Sequence, residues 1–256
     1  MKKFYRIEHQ GTPRHVIEEG GRWRLLEGDL FGRHEAGDEI RSTGQRLLAP
    51  VEPSKMVCIG LNYKDHAAET NKPLPTYPLM FIKPSTAVVG PGGQIVVPEG
   101  IGRVDHEAEV AVVIGRRASR VLERDAHQYV LGLTCFNDVT ARELQQKGVQ
   151  YTHAKGFDTF AAFGPCVAAG IDYHAAAGVG VEGWVNGERR QASSTSQLVF
   201  TIDYLIAYIS AVMTLLPGDI VATGTPSGIG PLKPGDEVTI KVSGVGDLTN
   251  PVGGKA

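Results

Sequence analysis

The stretch VDHEAEVAVVIG, residues 104–115, decides how the chain is read. Its second half is apolar and β-branched, the composition of a buried strand. Alternate side chains in a strand share a face. Glu107 and Glu109 therefore point the same way, Ala111 and Val113 continue their face, and Ala108, Val110, Val112 and Ile114 form the other. Two carboxylates at that spacing repel each other and are costly to bury unpaired. A strand lying along solvent would be polar over its whole outer face, whereas only the first part of this one is acidic. Two readings fit: a solvated strand edge, or the rim of a site where a divalent cation cancels the repulsion. All-oxygen donors favour Mg²⁺, Mn²⁺ or Ca²⁺ over zinc.

Four further segments bear on the choice. Asp138, in LTCFNDVTAREL, follows the apolar run VLGLTCF and precedes a helical pattern. It is either a third carboxylate or the N-cap of that helix, with Glu143 completing a box-like start. Lys155, in YTHAKGFDTFAAFGP, is either a partly buried cation that holds an oxyanion or an ordinary surface lysine. In LNYKDHAAETNKPLP, His66 and Glu69 are adjacent on a helix. A carboxylate beside an imidazole orients the ring and raises its basicity, although an exposed helix also carries such pairs incidentally. The prolines that follow predict a loop or lid. The glycine-rich VATGTPSGIGP lacks the Gly-Lys-Ser/Thr ending of a nucleotide phosphate loop but allows close approach to a small ligand, with the Thr225 hydroxyl and backbone amides as donors.

The rest of the chain sets the frame. A length of 256 residues with 42% hydrophobic and 21% charged residues suits a globular core, and a net charge of −2 leaves no footprint for nucleic acid or an anionic membrane. No apolar run approaches the roughly 18 residues of a membrane helix, and MKKFYRIEHQ lacks the apolar core of a signal peptide, which predicts a cytoplasmic protein. Cys58, Cys135 and Cys166 stand far apart in apolar contexts and read as buried free thiols. Residues 1–52 form a small strand-rich region (FYRIEH, HVIEEG, RWRLLEG), bounded by the prolines of LLAPVEPSK, and residues 53–256 form the larger unit. There strands (MVCIGLNY, LMFIKP, AVVG, QIVVP, AEVAVVIG, VLGLTCFNDV, EGWVNG, GDIVATG, DEVTIKV) outnumber helices, which are expected at YKDHAAET, ARELQQKG and TIDYLIAYISAVMTLL. Without a βαβα rhythm this is a strand-rich α+β fold.

In their order, GLNYKDHAAE, FIKPSTAVVGP, DHEAEVAVVIG, NDVTARELQ, AKGFDTFAAFGP, VNGERRQ, LLPGDIVATGTPSGIGP and GDEVTIKV resemble the fumarylacetoacetate hydrolase family over about residues 55–245. The resemblance implies a mixed β-roll of that family's C-terminal type with a small N-terminal appendage, and a homodimer. It implies metal ligands at Glu107, Glu109 and Asp138 for Mg²⁺ or Mn²⁺, a His66–Glu69 dyad on a lid, and an active-site Lys155. It further implies substrate contacts from Arg142, Gln145 and Thr225. The implied substrate is a small 2-oxo or 1,3-dicarbonyl acid. The implied reaction is hydrolysis of a C–C bond in an acylpyruvate-like β-diketo acid through an enolate. The alternative is decarboxylation or keto–enol isomerisation of oxaloacetate or of a 2-hydroxyhepta-2,4-diene-1,7-dioate from aromatic degradation. A non-catalytic, cation-binding β-domain would leave the His–Glu pair and Lys155 unexplained.

Overall fold

The structure, a computed structural model, describes residues 1–69, 71, 73–148 and 150–254. Strand outweighs helix, 47% against 16%, as the strand-rich reading expects. The segment that opens the argument folds as two strands, Val104–His106 and Ala108–Ile114, which belong to different sheets and meet at Glu107. The single strand expected there is interrupted because side chains take the N–H groups at the junction. Asn137 Oδ1 accepts from Glu107 N at 3.0 Å and Gln191 Oε1 from Ala108 N at 2.9 Å. Beyond the break the alternation holds: Ala111 and Val113 pack with Met56 and Phe136 in one core, while Ala108, Val110, Val112 and Ile114 pack with Leu205 and Ile240 in another. Burial on both faces is why this strand reads as a continuous apolar run.

Ala108–Ile114 lies inside a twelve-stranded sheet, between Val130–Asp138 and Ile220–Ala222. Beyond Ile220–Ala222 come Lys55–Gly60, paired parallel to it, and Leu79–Pro84 at the edge. On the other side Ala161–Ala169 joins Val130–Asp138 to the N-terminal strand Lys2–His9. The meander of Lys2–His9, Thr12–Glu19, Arg22–Gly28 and His34–Ile40 is thus built onto the main sheet, with Lys2 opposite Ala169. A five-stranded sheet that includes Gly180–Val185, Glu188–Ser194 and Glu237–Val242 packs over it, and the larger core lies between them. Ala161–Ala169 is absent from the sequence reading because AAFGPCVAA has neither β-branched density nor alternation. Its proline is tolerated where the register with Val130–Asp138 shifts, between Leu133 and Cys135.

Helices form at the three expected places, Lys64–Glu69, Arg142–Lys147 and Ile202–Val212, although Thr70, the last residue of the first expected segment, lies outside the described residues, as do Lys255 and Ala256 of the larger unit. Thr201 caps the longest, its hydroxyl accepting from Tyr204 N at 3.2 Å. That helix stops at Val212, short of the expected Leu216, because Ala118 and Leu215 exchange backbone bonds of 2.9 Å that draw the chain out straight. The three cysteines are buried and free. No described helix is long and apolar enough to cross a membrane.

One buried carboxylate fixes the parallel pair leading into the glycine-rich turn. Asp219 accepts from Ser54 N (3.0 Å), Ser54 Oγ (2.6 Å), Lys55 N (3.2 Å) and Leu216 N (2.8 Å), and also pairs with Lys55 Nζ. In Asp219→Ala these donors lose their acceptor, so we expect a loss of about 3 kcal/mol. For a chain of this size that is a fall in Tm of roughly 6–12 °C, measured by thermal unfolding.

Candidate active site

Three carboxylates converge where the break at Glu107 faces the end of Val130–Asp138. Antiparallel register brings them together: Ala108 stands opposite Asn137, and Asp138 N donates to Glu107 O at 2.9 Å. Ligand oxygens of Glu107, Glu109 and Asp138 lie within 4.8 Å of one another, and all three residues are buried. Asp138 ends a strand and caps no helix, since the cap position of Arg142–Lys147 is Ala141. The solvated-edge reading of Glu107 and Glu109 is likewise ruled out by their burial.

Such a cluster survives burial only beside cations. Lys155 Nζ donates to Glu107 Oε2 at 2.9 Å and to Asp138 Oδ2 at 2.6 Å, and is itself buried. Arg142 donates from Nη2 to Glu107 Oε1 (2.5 Å), from Nε to Asp105 Oδ2 (2.8 Å) and from Nη1 to Gln145 Oε1 (2.5 Å). A third cation was missed in the sequence. Lys83 is fully buried, and its Nζ bonds Asp138 Oδ1 and, at 3.0 Å, Val139 O. The available signal was a lysine on the buried face of the apolar strand Leu79–Pro84, alternating with Phe81.

The electrostatics follow from this arrangement. Burial pushes the Glu107 carboxyl up, but Lys155 and Arg142 outweigh it and hold the group well below the usual carboxylate range. Glu109 lacks a cation at bonding distance; burial, then Asp138 and Glu107, push it well above that range, and Gly224 N–H at 2.9 Å offsets this only in part. Burial pulls Lys83 down despite Asp138, whereas for Lys155 the pull of burial is overcome by Asp138 and Glu107. The Glu109 carboxyl is thus pushed towards its neutral form, and further positive charge beside it would favour the carboxylate. Three hard oxygen donors converging at this spacing fit a divalent cation.

A cavity of about 340 Å³ opens onto the cluster, and His66, Arg142, Gln145, Lys155 and Thr225 line it together with Glu107 and Glu109. The structure therefore brings every sequence-derived site residue to one place, except that Asp138 and Glu69 stand behind the lining. Glu69 Oε2 lies 2.9 Å from His66 Nδ1, and its Oε1 accepts from Gly228 N at 2.9 Å. Asp65 Oδ2 accepts from Ser193 Oγ at 3.1 Å, so both ends of the Lys64–Glu69 helix are tied down. The Thr225 hydroxyl donates to Ala108 O at 2.9 Å and accepts from Gln191 Nε2 at 2.9 Å.

Gln191 was also missed in the sequence, although VNGERRQ contains it. Buried in Glu188–Ser194, its Nε2 donates to Thr225 Oγ1 and, at 2.8 Å, to Pro226 O. Its Oε1 takes Ala108 N at 2.9 Å and stands 3.0 Å from His106 Nδ1. A single amide thus links the five-stranded sheet, the glycine-rich turn and the junction that carries Glu107.

A buried carboxylate centre flanked by lysines, an arginine and a histidine–carboxylate pair defines an enzyme site for small acids. Residues 55–253 match the model described as Fumarylacetoacetate (FAA) hydrolase C-terminal, and the chain belongs to that family of enzymes. Residues 2–50 match the model described as Rv2993c-like, N-terminal. The chain is 42% identical to the mitochondrial oxaloacetate tautomerase fahd2 of Xenopus laevis, over 80% of this chain and 68% of that one. It superposes on the crystal structure of a 5-carboxymethyl-2-hydroxymuconate delta-isomerase from Mycobacterium smegmatis with a TM-score of 0.91 and 41% identity, covering 99% of this chain and 100% of the other. For a 2-hydroxyhepta-2,4-diene-1,7-dioate isomerase from Mycobacterium marinum the TM-score is 0.92 and the identity 38%, with both chains covered in full.

Because Gln191 supports the ligand-bearing junction from behind, Gln191→Leu is expected to lower Mn²⁺ affinity by roughly 10–100-fold while the fold persists. Titration calorimetry together with a melting curve checks this.

Proposed function

We propose that this enzyme takes a proton from carbon beside the keto group of a small 2-oxo acid and returns it elsewhere, as a keto–enol tautomerase or double-bond isomerase. The observation that carries the reading is the placing of Lys155, Arg142 and His66 around one small cavity at the carboxylate cluster. Lys155 directs two of its three donors to Glu107 and Asp138, leaving a third N–H for an oxygen that gains charge. Arg142 makes three bonds with five N–H groups, and the remaining two suit a substrate carboxylate. With Nδ1–H directed to Glu69, the Nε2 of His66 carries the lone pair that accepts the proton. Glu107, Glu109 and Asp138 would hold the divalent cation. When bound, it would supply a Lewis acid for the keto oxygen and positive charge beside a substrate carboxylate and an enolate oxygen. The activities named for the tautomerase and isomerase relatives, on oxaloacetate, 5-carboxymethyl-2-hydroxymuconate and 2-hydroxyhepta-2,4-diene-1,7-dioate, support proton transfer.

Hydrolytic C–C cleavage of a β-diketo acid is the second reading, and the His66–Glu69 pair favours it. The same base that removes a proton from carbon can remove one from water.

Ultraviolet absorbance of the enol follows both oxaloacetate tautomerisation and acetylpyruvate cleavage. We expect Mg²⁺-dependent turnover of oxaloacetate. His66→Gln should lower kcat by roughly 10²–10⁴-fold. Lys155→Met should lower it by roughly 10²–10³-fold. Turnover of acetylpyruvate alone would establish the hydrolytic reading, and no metal-dependent turnover of either acid would overturn both.

A further inference from the structure

Beside the acidic cavity lies a second and larger one of about 580 Å³, and Tyr151 is the residue common to both linings. The smaller holds the carboxylates and cations together with Ile59, Leu61 and Ile229, whereas the larger carries no charged side chain and is lined by Tyr77, Leu79, Phe81, Ile82 and Tyr208 with the polar Gln150 and Thr152. The Tyr151 ring stands edge-to-face on Phe81, with centroids 5.5 Å apart, and Phe81 in turn lies beneath Lys155 Nζ, 4.8 Å from its centroid. The ring also lies near Gly60, where an added Cβ would come within 3.3 Å of Tyr151 Cε2. Gly60 leaves the ring room, and the ring contributes to the wall of both cavities.

We propose that Tyr151 determines specificity by substrate length: its ring closes the acidic pocket against the neighbouring uncharged groove and confines the site to short 2-oxo acids. The inference rests on the 2-oxo acid reading above. Without the ring, the tail of a straight-chain 2-oxo acid, with its carboxylate beside Arg142, extends along Leu79, Phe81 and Ile82. The side chain can be changed without dismantling the site. The turn that carries Lys155 is held by the Tyr151 carbonyl, which accepts from Ala154 N at 2.9 Å and Lys155 N at 3.0 Å, and by Thr152 Oγ1, which donates to Ile82 O at 3.0 Å.

The test is calorimetric binding of pyruvate, 2-oxobutyrate, 2-oxohexanoate and 2-oxooctanoate to the full chain with Mg²⁺, with melting curves for each variant. The unaltered chain should bind pyruvate at least as well as 2-oxooctanoate. Tyr151→Ala should shift the ratio tenfold or more towards the long acid, since each newly buried methylene contributes about fourfold in affinity. Tyr151→Phe, which keeps the ring, should keep the ratio. Tyr151→Leu should shift it in the same direction by less, and serves if the alanine variant does not fold. A length profile in the folded variants parallel to that of the unaltered chain would overturn this inference alone. No Mg²⁺-dependent binding of any acid to the unaltered chain would overturn the 2-oxo acid reading and this inference with it.

Discussion

Glu107, Glu109 and Asp138 can be buried within 4.8 Å of one another only if positive charge is brought in from elsewhere, and the arrangement of the fold meets that demand. Each cation comes from a different element. Lys83 is delivered by the edge strand, Arg142 by the first turn of a short helix, and Lys155 by the helical turn Thr152–Lys155. None of these elements is a sequence neighbour of both acidic segments. The long sheet, the parallel pair fixed by Asp219 and the crossing five-stranded sheet are what bring them together. Among the described residues no cation stands at bonding distance from Glu109, and further positive charge there would favour its ionised form.

Much of this was legible in the sequence wherever a residue's chemistry clashed with its local pattern. Acid in an apolar strand pointed to Glu107 and Glu109, and a histidine three residues before a glutamate pointed to the His66–Glu69 pair. Residues that act by bridging were not legible. Gln191 looks like an ordinary polar residue in an exposed hairpin, and only its contacts with Thr225, Pro226 and Ala108 show its role. Lys83 has the same character, since its partner is 55 residues away. In the fold, Ala161–Ala169 escaped notice because small residues carry little strand preference of their own and take their place in the sheet from the neighbours they pair with. The end of Ile202–Val212 was misplaced for a related reason: a tertiary bridge at Leu215 overrides helical spacing.

The two halves of the pocket are held by different kinds of bond. On the cation side, Thr223 Oγ1 bonds Val110 O at 2.8 Å, Gly224 N bonds Glu109 at 2.9 Å and Thr225 Oγ1 bonds Ala108 O at 2.9 Å, so the glycine-rich turn is stitched to the central strand residue by residue. On the base side, the Lys64–Glu69 helix is tied to the glycine-rich loop and the hairpin by the Glu69–Gly228 and Asp65–Ser193 bonds.

The junction at residue 107 carries a mechanical consequence. In a ladder, an amide cannot yield without straining its neighbours, because their bonds share one geometry. Glu107 N is held instead by the side chain of Asn137, which has torsions of its own. The carboxylate that Lys155 and Arg142 share thus stands at a break in the ladder, held by the Asn137 side chain and by Asp138 N, while Glu109 lies within the continuous strand Ala108–Ile114.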